Sequence, residues 1–215
     1  MDTIASILNA DLARFRQYIP ANAAFPGNIG VFRFVPDETT SFAQPPDAPY
    51  SFGADVFGER VFGASFMIYD AIREGVRDDF AEGCTIVTNA VTGTDDDDNP
   101  LGYVIYEHEI KPVEGESASL VDEYYPAATA RRIYDSEYLL ANYVQREIDR
   151  RHLSSGVWHL LTELPPCKSC VGVLDGFLNG NGGVYLRVYH LKPGNQSTGN
   201  FAPLAATNRA TLQLI

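Results

Sequence analysis

Apolar residues recur at intervals of three and four in four segments of the chain, so that they share one face of a helix. The clearest run repeats Ile68, Ile72, Val76 and Phe80. We predict helices over residues 4–19, over 65–83, from 135 onward, and from Pro165-Pro166 to about 178.

Short apolar or alternating runs separate these helices and predict strands. The strands cover residues 31–35, 84–91, 103–110, 156–163 and 184–191. The turn sequence GTDDDDNPLG joins the second and third strands, which predicts a hairpin. Strands and helices alternate in the second half, which favours parallel pairing. The pattern predicts an α/β fold with a mixed four- to five-stranded sheet between helices.

Apart from the strand predicted over 31–35, the segment between the first predicted helix and residue 64 shows no regular hydrophobic pattern. From Pro20 to Gly63 it is rich in proline and glycine, with scattered aromatic residues, which predicts an extended wrap. We predict two parts: residues 1–64 as an N-terminal helix and wrap, and residues 65–215 as a catalytic domain.

Composition excludes several classes of protein. The 215 residues are 45% hydrophobic, which is enough for a buried core and excludes wholesale disorder. We expect no membrane span and no classical signal peptide, because neither pattern occurs. The net charge of −12 is uneven: residues 1–130 hold 7 basic and 22 acidic side chains, and residues 131–215 hold 9 and 6. Affinity for a polyanion therefore belongs to the C-terminal part.

The three cysteines suggest site chemistry rather than a disulfide framework. Cys84 stands alone, and we predict it to be a small buried strand residue. Cys167 and Cys170 form a Cys-x-x-Cys pair at a predicted helix start. The free N–H groups there favour thiolates, which bind Zn²⁺ well. The pair alone therefore indicates either a metal site or a redox pair.

A second motif precedes the cysteines by about thirty residues. Asp135-Ser136-Glu137 opens the preceding helix and, taken alone, would be read as ordinary helix capping. Acidic-x-Glu followed by Pro-Cys-x-x-Cys is similar to the signature of zinc-dependent deaminases, His-x-Glu followed by Pro-Cys-x-x-Cys. The chain thus resembles the cytidine-deaminase-like superfamily, and above all the deaminase domains of bacterial polymorphic toxins. The segment Thr162–Cys170, TELPPCKSC, carries much of that resemblance. It covers residues 65–191 in element order and 135–178 in motif.

The resemblance implies a three-layer α/β/α fold and a catalytic zinc ion. Asp135, Cys167 and Cys170 would hold Zn²⁺, leave its fourth position to water, and let Glu137 carry protons. The implied reaction is hydrolytic deamination of a nucleobase, cytosine favoured, in single-stranded DNA or RNA. The implied setting is a bacterial toxin or effector, delivered without a classical signal peptide into the cytoplasm of a target cell. A neutralising immunity protein would be its partner.

The sequence departs from the signature at one ligand. No histidine is followed two residues later by glutamate, so Asp135 takes the place of the usual histidine. Other functions therefore stay open: a cytoplasmic deaminase of free nucleosides or nucleotides, or a non-catalytic zinc-binding module with the same fold. A thioredoxin-type redox pair or half of a structural zinc knuckle would also use Cys-x-x-Cys.

Overall fold

A computed structural model describes residues 3–16, 28–36, 60–64, 84–88, 103–106, 109–112, 135–150, 152–194 and 197–215. Its elements are, in chain order, α1 (Thr3–Arg16), β1 (Ile29–Pro36), β2 (Arg60–Ala64), β3 (Cys84–Thr88), β4 (Tyr103–Tyr106), β5 (Glu109–Pro112), α2 (Ser136–Arg150), β6 (Ser155–Thr162), α3 (Lys168–Gly180), β7 (Gly183–His190), α4 (Ser197–Ala205) and β8 (Ala210–Leu214). The helix predicted over 65–83 and the turn predicted over 93–102 lie outside the described residues.

The strands form one mixed sheet in the order β5-β4-β3-β2-β1-β6-β7-β8. Strands β6, β7 and β8 run parallel, as the alternation of helices and strands predicts. Strand β1 is antiparallel to both of its neighbours, β2 and β6. The predicted α/β class with a mixed open sheet is confirmed. The sheet gains β2, β5 and β8 beyond the five predicted strands.

The region predicted as one strand over 103–110 contributes to two strands instead. Strand β4 ends at Tyr106, and β5 begins at Glu109 and pairs back onto β4. The predicted hairpin is confirmed, because β3 and β4 pair antiparallel with Thr85 opposite Tyr106.

Helices cover the sheet on both faces, in three layers. Phe32, Phe34, Trp158 and Leu160 point to one face, where they join a buried cluster with residues of α2, α3 and α4. Alternate residues of the same strands point to the other face. There α1 packs against β1 and β6 and buries Ala5, Leu8, Leu12 and Phe15. The division predicted at residue 64 stays a prediction; α1 and β1 share these layers with later elements.

Two glycines let the start of α2 approach the sheet closely. A Cβ atom at Gly30 would lie 2.9 Å from Leu140 Cδ1. A Cβ atom at Gly63 would lie 2.8 Å from both Leu140 Cγ and the Ser136 carbonyl oxygen. Because glycine has no side chain, the first turn of α2 lies directly against β1 and β2. None of the described helices has the length and apolar character that crossing a membrane requires.

Candidate metal centre

The two sequence motifs meet where α2 and α3 begin. Asp135 directly precedes α2, and its carbonyl accepts the first helical hydrogen bond, from Leu139 N–H at 3.1 Å. Cys167 directly precedes α3 in extended backbone conformation and acts as its N-cap. Residues 32 positions apart in sequence thereby come within contact distance.

Asp135, Cys167 and Cys170 form a cluster, here called the metal centre, whose ligand atoms all lie within 4.8 Å of one another. Asp135 Oδ2 lies 3.4 Å from Cys170 Sγ and 3.8 Å from Cys167 Sγ. The two Sγ atoms are 2.9 Å apart. Cys170 is buried, and the other two residues are partly exposed, so the cluster is open on one side.

The start of α3 explains why the cysteines lie together. Cys170 N–H donates to Cys167 Sγ over 3.4 Å, as a backbone donor at a helix N-terminus does for a capping atom. Ser169 Oγ lies 2.9 Å from the same sulfur. These donors and the positive end of the helix dipole stabilise negative charge on Cys167.

Cys170 is in a different electrostatic state. Its hydrogen bond with Cys167, and then its burial, raise the pKa of the Cys170 thiol well above its ordinary value. Glu137, Asp135 and Cys167 add like charge around it. Without a cation, Cys170 therefore stays protonated at neutral pH. A bound cation would displace that proton and relieve the crowding of negative groups.

The donor set fits a tetrahedral zinc ion. With Zn–S near ~2.3 Å and Zn–O near ~2.0 Å, tetrahedral geometry places oxygen and sulfur about 3.5 Å apart. The two observed oxygen–sulfur distances, 3.4 and 3.8 Å, bracket that value. The sulfurs, 2.9 Å apart, would have to separate to about 3.8 Å. A side-chain rotation of Cys167, which is partly exposed, would supply that change.

Glu137 lies one residue into α2 and is 2% exposed. Burial raises the pKa of Glu137 to about 7, and the charges of Asp135 and Cys167 act in the same direction. Ser136 Oγ donates to Glu137 Oε2 at 2.9 Å, and Asn28 Nδ2 donates to Oε1 at 3.3 Å. Glu137 is therefore a fixed carboxyl group that exchanges a proton near neutral pH, beside the metal centre.

Asn28 is a site residue that the sequence does not reveal. It precedes β1, and its Oδ1 accepts hydrogen bonds from the N–H groups of Glu163 and Leu164, both at 3.1 Å. With Nδ2 on Glu137, it joins the start of α2 to the segment that leads into Cys167. An asparagine after a glycine is an ordinary turn signal, so nothing local distinguishes it.

Other residues considered from the sequence have structural roles or lie elsewhere. Cys84 is in β3, as predicted. His159 is buried in β6, where Nδ1 lies 3.1 Å from Tyr189 Oη. Arg187 is exposed on β7. Arg131 and Arg132 lie outside the described residues.

No protein-family model matches this chain, and no curated protein matches its sequence. The site is therefore defined by its own geometry. That geometry establishes a cluster able to hold a metal ion, with a buried carboxyl group beside it.

Proposed function

We propose that this protein is a zinc-dependent hydrolase that deaminates a nucleobase, with cytosine favoured, in single-stranded DNA or RNA. One observation carries the proposal. Three metal-ligating side chains converge at two helix starts, and a buried glutamate beside them has a pKa raised to about 7. This combination supplies both a Lewis acid site and a proton carrier at neutral pH.

The metal ligands and Glu137 would have separate roles in the deamination. Zinc held by Asp135, Cys167 and Cys170 would make water nucleophilic at neutral pH. Glu137 accepts a proton from the attacking water and delivers it to the ring nitrogen. It then carries the second proton to the leaving amine. The new carbon–oxygen bond replaces the carbon–nitrogen bond, and ammonia departs.

Hydrogen bonds from two neighbouring residues would hold the Glu137 carboxyl group in a fixed orientation for these proton transfers. Ser136 and Asn28 each donate to a different carboxylate oxygen, which fixes the plane of the carboxyl group. A proton carrier held in this way does not need to reorganise during the reaction.

Two exposed lysines near the segment that leads into Cys167 support a phosphate-bearing substrate. Lys168 and Lys192 are exposed on the segments that follow β6 and β7. Those segments are joined by a hydrogen bond from Lys192 N–H to the Glu163 carbonyl at 2.9 Å. Within residues 163–169 and 190–194 the only carboxylate is that of Glu163, which is buried. In a chain of net charge −12, these two exposed lysines are side chains that a polyanion would contact.

The biological setting in the proposal rests on the sequence resemblance alone. It comprises a bacterial effector that acts in the cytoplasm of a target cell, and an immunity protein that neutralises it.

A dithiol redox function is the second candidate, and it has its own observation. The cysteine sulfurs lie only 2.9 Å apart at a helix N-terminus, a geometry that also suits reversible disulfide formation. The two candidates differ in what the pair holds, zinc or a disulfide.

The first experiment measures zinc content by elemental analysis of purified protein. We expect about one zinc per chain in the wild type and none in Asp135→Ala or Cys167→Ala. Asp149→Ala, which removes an exposed carboxylate from the same helix as Glu137, is the matched control and should keep its zinc. A wild type without zinc, whose cysteines form a disulfide with a defined potential, would favour the redox candidate.

The second experiment measures ammonia release and base identity with cytosine- and adenine-containing single-stranded DNA, RNA and free cytidine. We expect turnover on an oligonucleotide, with kcat/KM falling steeply as salt increases. Lys192→Ala should lower kcat/KM for the oligonucleotide and leave it unchanged for free cytidine. Turnover only on free nucleosides would overturn the polymer assignment. Zinc without turnover on any substrate would favour a binding module.

A further inference from the structure

Among the buried carboxylates that the catalytic roles above leave unused, one lies close to Cys167 in the sequence. Glu163 follows β6, is 6% exposed, and lies four residues before Cys167. Its two carboxylate oxygens accept hydrogen bonds from Nε and Nη2 of Arg16, at the end of α1. The pair joins residues 147 positions apart in the sequence.

The backbone of Glu163 is held as firmly as its side chain. Its N–H donates to Asn28 Oδ1 at 3.1 Å and to the Ile29 carbonyl at 3.2 Å. Its carbonyl accepts from Lys192 N–H at 2.9 Å. Glu163 is therefore the point where α1, β1 and the end of β7 are tied together.

Rigid chain connects this point to the first cysteine. Thr162 Oγ1 donates to the Leu164 carbonyl at 2.6 Å, which closes a turn around Glu163. Pro165 and Pro166 follow, and each proline ring fixes its backbone φ. A displacement of Glu163 is therefore transmitted to Cys167 instead of being absorbed by flexible chain.

We propose that the Arg16–Glu163 ion pair positions Cys167, so that helix α1 is a working part of the metal centre. Arginine suits this role because its planar fork meets both carboxylate oxygens at once. Without Arg16, a buried carboxylate would lose its counter-charge and move toward water, carrying the segment before Cys167 with it. Arg16 and Glu163 are positioning residues in this view, since neither is a ligand.

The inference rests on the proposed zinc site, and zinc affinity tests it without any turnover assay. Zinc dissociation constants are measured by chelator competition for the wild type, Arg16→Ala and Arg14→Ala. Residues that hydrogen-bond directly to metal ligands contribute ~10–100-fold in affinity. Arg16 acts on Cys167 only through Glu163 and the chain that follows it, so we expect Arg16→Ala to weaken zinc binding ~10-fold, at the lower end of that range. Arg14 is exposed on the same helix, so Arg14→Ala should bind zinc as the wild type does. Arg16→Lys, which keeps the charge but not the fork, should fall between them.

Loss of stability alone would not produce this pattern. When the metal-free protein is fully folded by circular dichroism, its intrinsic zinc affinity does not depend on its free energy of unfolding. Should Arg16→Ala not fold, Glu163→Gln replaces it, because the amide keeps the size and one hydrogen bond. Folded Arg16→Ala or Glu163→Gln with wild-type zinc affinity would overturn this inference and leave the zinc site intact. A wild type that binds no zinc would overturn both.

Discussion

Helix α3 has a polar cluster at each end, and α2 contributes to both. At the C-terminal end, Asn181 Nδ2 donates to Gln145 Oε1 and to the Phe177 carbonyl, at 2.5 and 2.8 Å. Arg209 Nη1 donates to the Asn181 carbonyl at 3.0 Å. Each of these contacts joins a donor to an acceptor, so the cluster is complete as it stands.

The metal centre, at the N-terminal end, is built in the opposite way. A carboxylate and two sulfurs point at one another, and Glu137 adds a further acid beside them. Burial is the main cause of the raised pKa of Glu137, and the hydrogen bond with Cys167 that of the raised pKa of Cys170; the neighbouring like charges add to both shifts. Polar clusters that satisfy themselves hold a fold together, whereas a cluster of converging acceptors is suited to bind a cation.

The strongest test of this comparison replaces one residue at each end of α3 with alanine. Cys170→Ala should lower zinc affinity by more than ~10–100-fold, because it removes a ligand. That range is what the loss of a residue hydrogen-bonded to a ligand costs. Asn181→Ala should bind zinc as the wild type does. Chelator competition on both folded variants measures the difference. Equal zinc affinity in the two variants would remove the distinction between the ends.

Glu137→Gln tests the acid beside the metal centre. The amide cannot carry protons, so turnover should fall by ~10²–10⁴-fold while zinc content stays at the wild-type level. Steady-state kinetics together with elemental analysis separate the two effects. Turnover that survives the substitution would assign the proton transfers to another group.

The same carboxyl group predicts how the stability of the metal-free protein varies with pH. The pKa of Glu137 rises from 4.5 to about 7 on folding, so the native state binds the extra proton between these values. The free energy of unfolding should therefore fall as pH rises from about 4.5 to about 7, by at most about 3 kcal/mol from this group.

Glu137→Gln removes that pH dependence. Its stability relative to the wild type should increase across the same interval and level off above it, in urea titrations of metal-free protein. A constant difference between the two proteins would mean that Glu137 titrates normally.

The smallest expected effect is at the C-terminal end. Arg209→Ala removes a donor from the Asn181 carbonyl at a partly exposed site. It should lower the free energy of unfolding by about 0.5–1.5 kcal/mol, a typical net value for one hydrogen bond. Urea denaturation measures it, and zinc affinity should not change. A loss of zinc would show that the two ends of α3 are coupled.

The two cysteines of the metal centre could be predicted from their own motif, and Asp135 through the resemblance of both motifs to the deaminase signature. Each motif falls at a helix start that hydrophobic periodicity also predicts, and helix geometry brings Cys167 and Cys170 to one turn. Asn28 and Arg16 could not be predicted in this way. Their contacts with Glu163 span 135 and 147 residues, and only the assembled sheet brings them together.

The strands show the same difference between local patterns, which can be predicted, and tertiary contacts, which cannot. Strands β6 and β7 lie within one residue of their predicted limits, because apolar runs bounded by turns define them. Strand β2 is missed because Arg60–Ala64 lies in a stretch rich in proline and glycine. Gly63 suits that strand for a tertiary reason, the close approach of α2, which no local pattern expresses.

The central position of β1 has a consequence in time. Strand β1 forms its ladder with β6, and Asn28 beside it contacts Glu163, 135 residues later in the chain. Ribosomes add ~5–20 residues per second, so roughly 7–27 s pass between the synthesis of the two residues. Throughout that interval, the edge of β1 that pairs with β6 lacks its hydrogen-bonding partner. The metal centre is therefore completed only after the segment up to Cys170 has emerged from the ribosome.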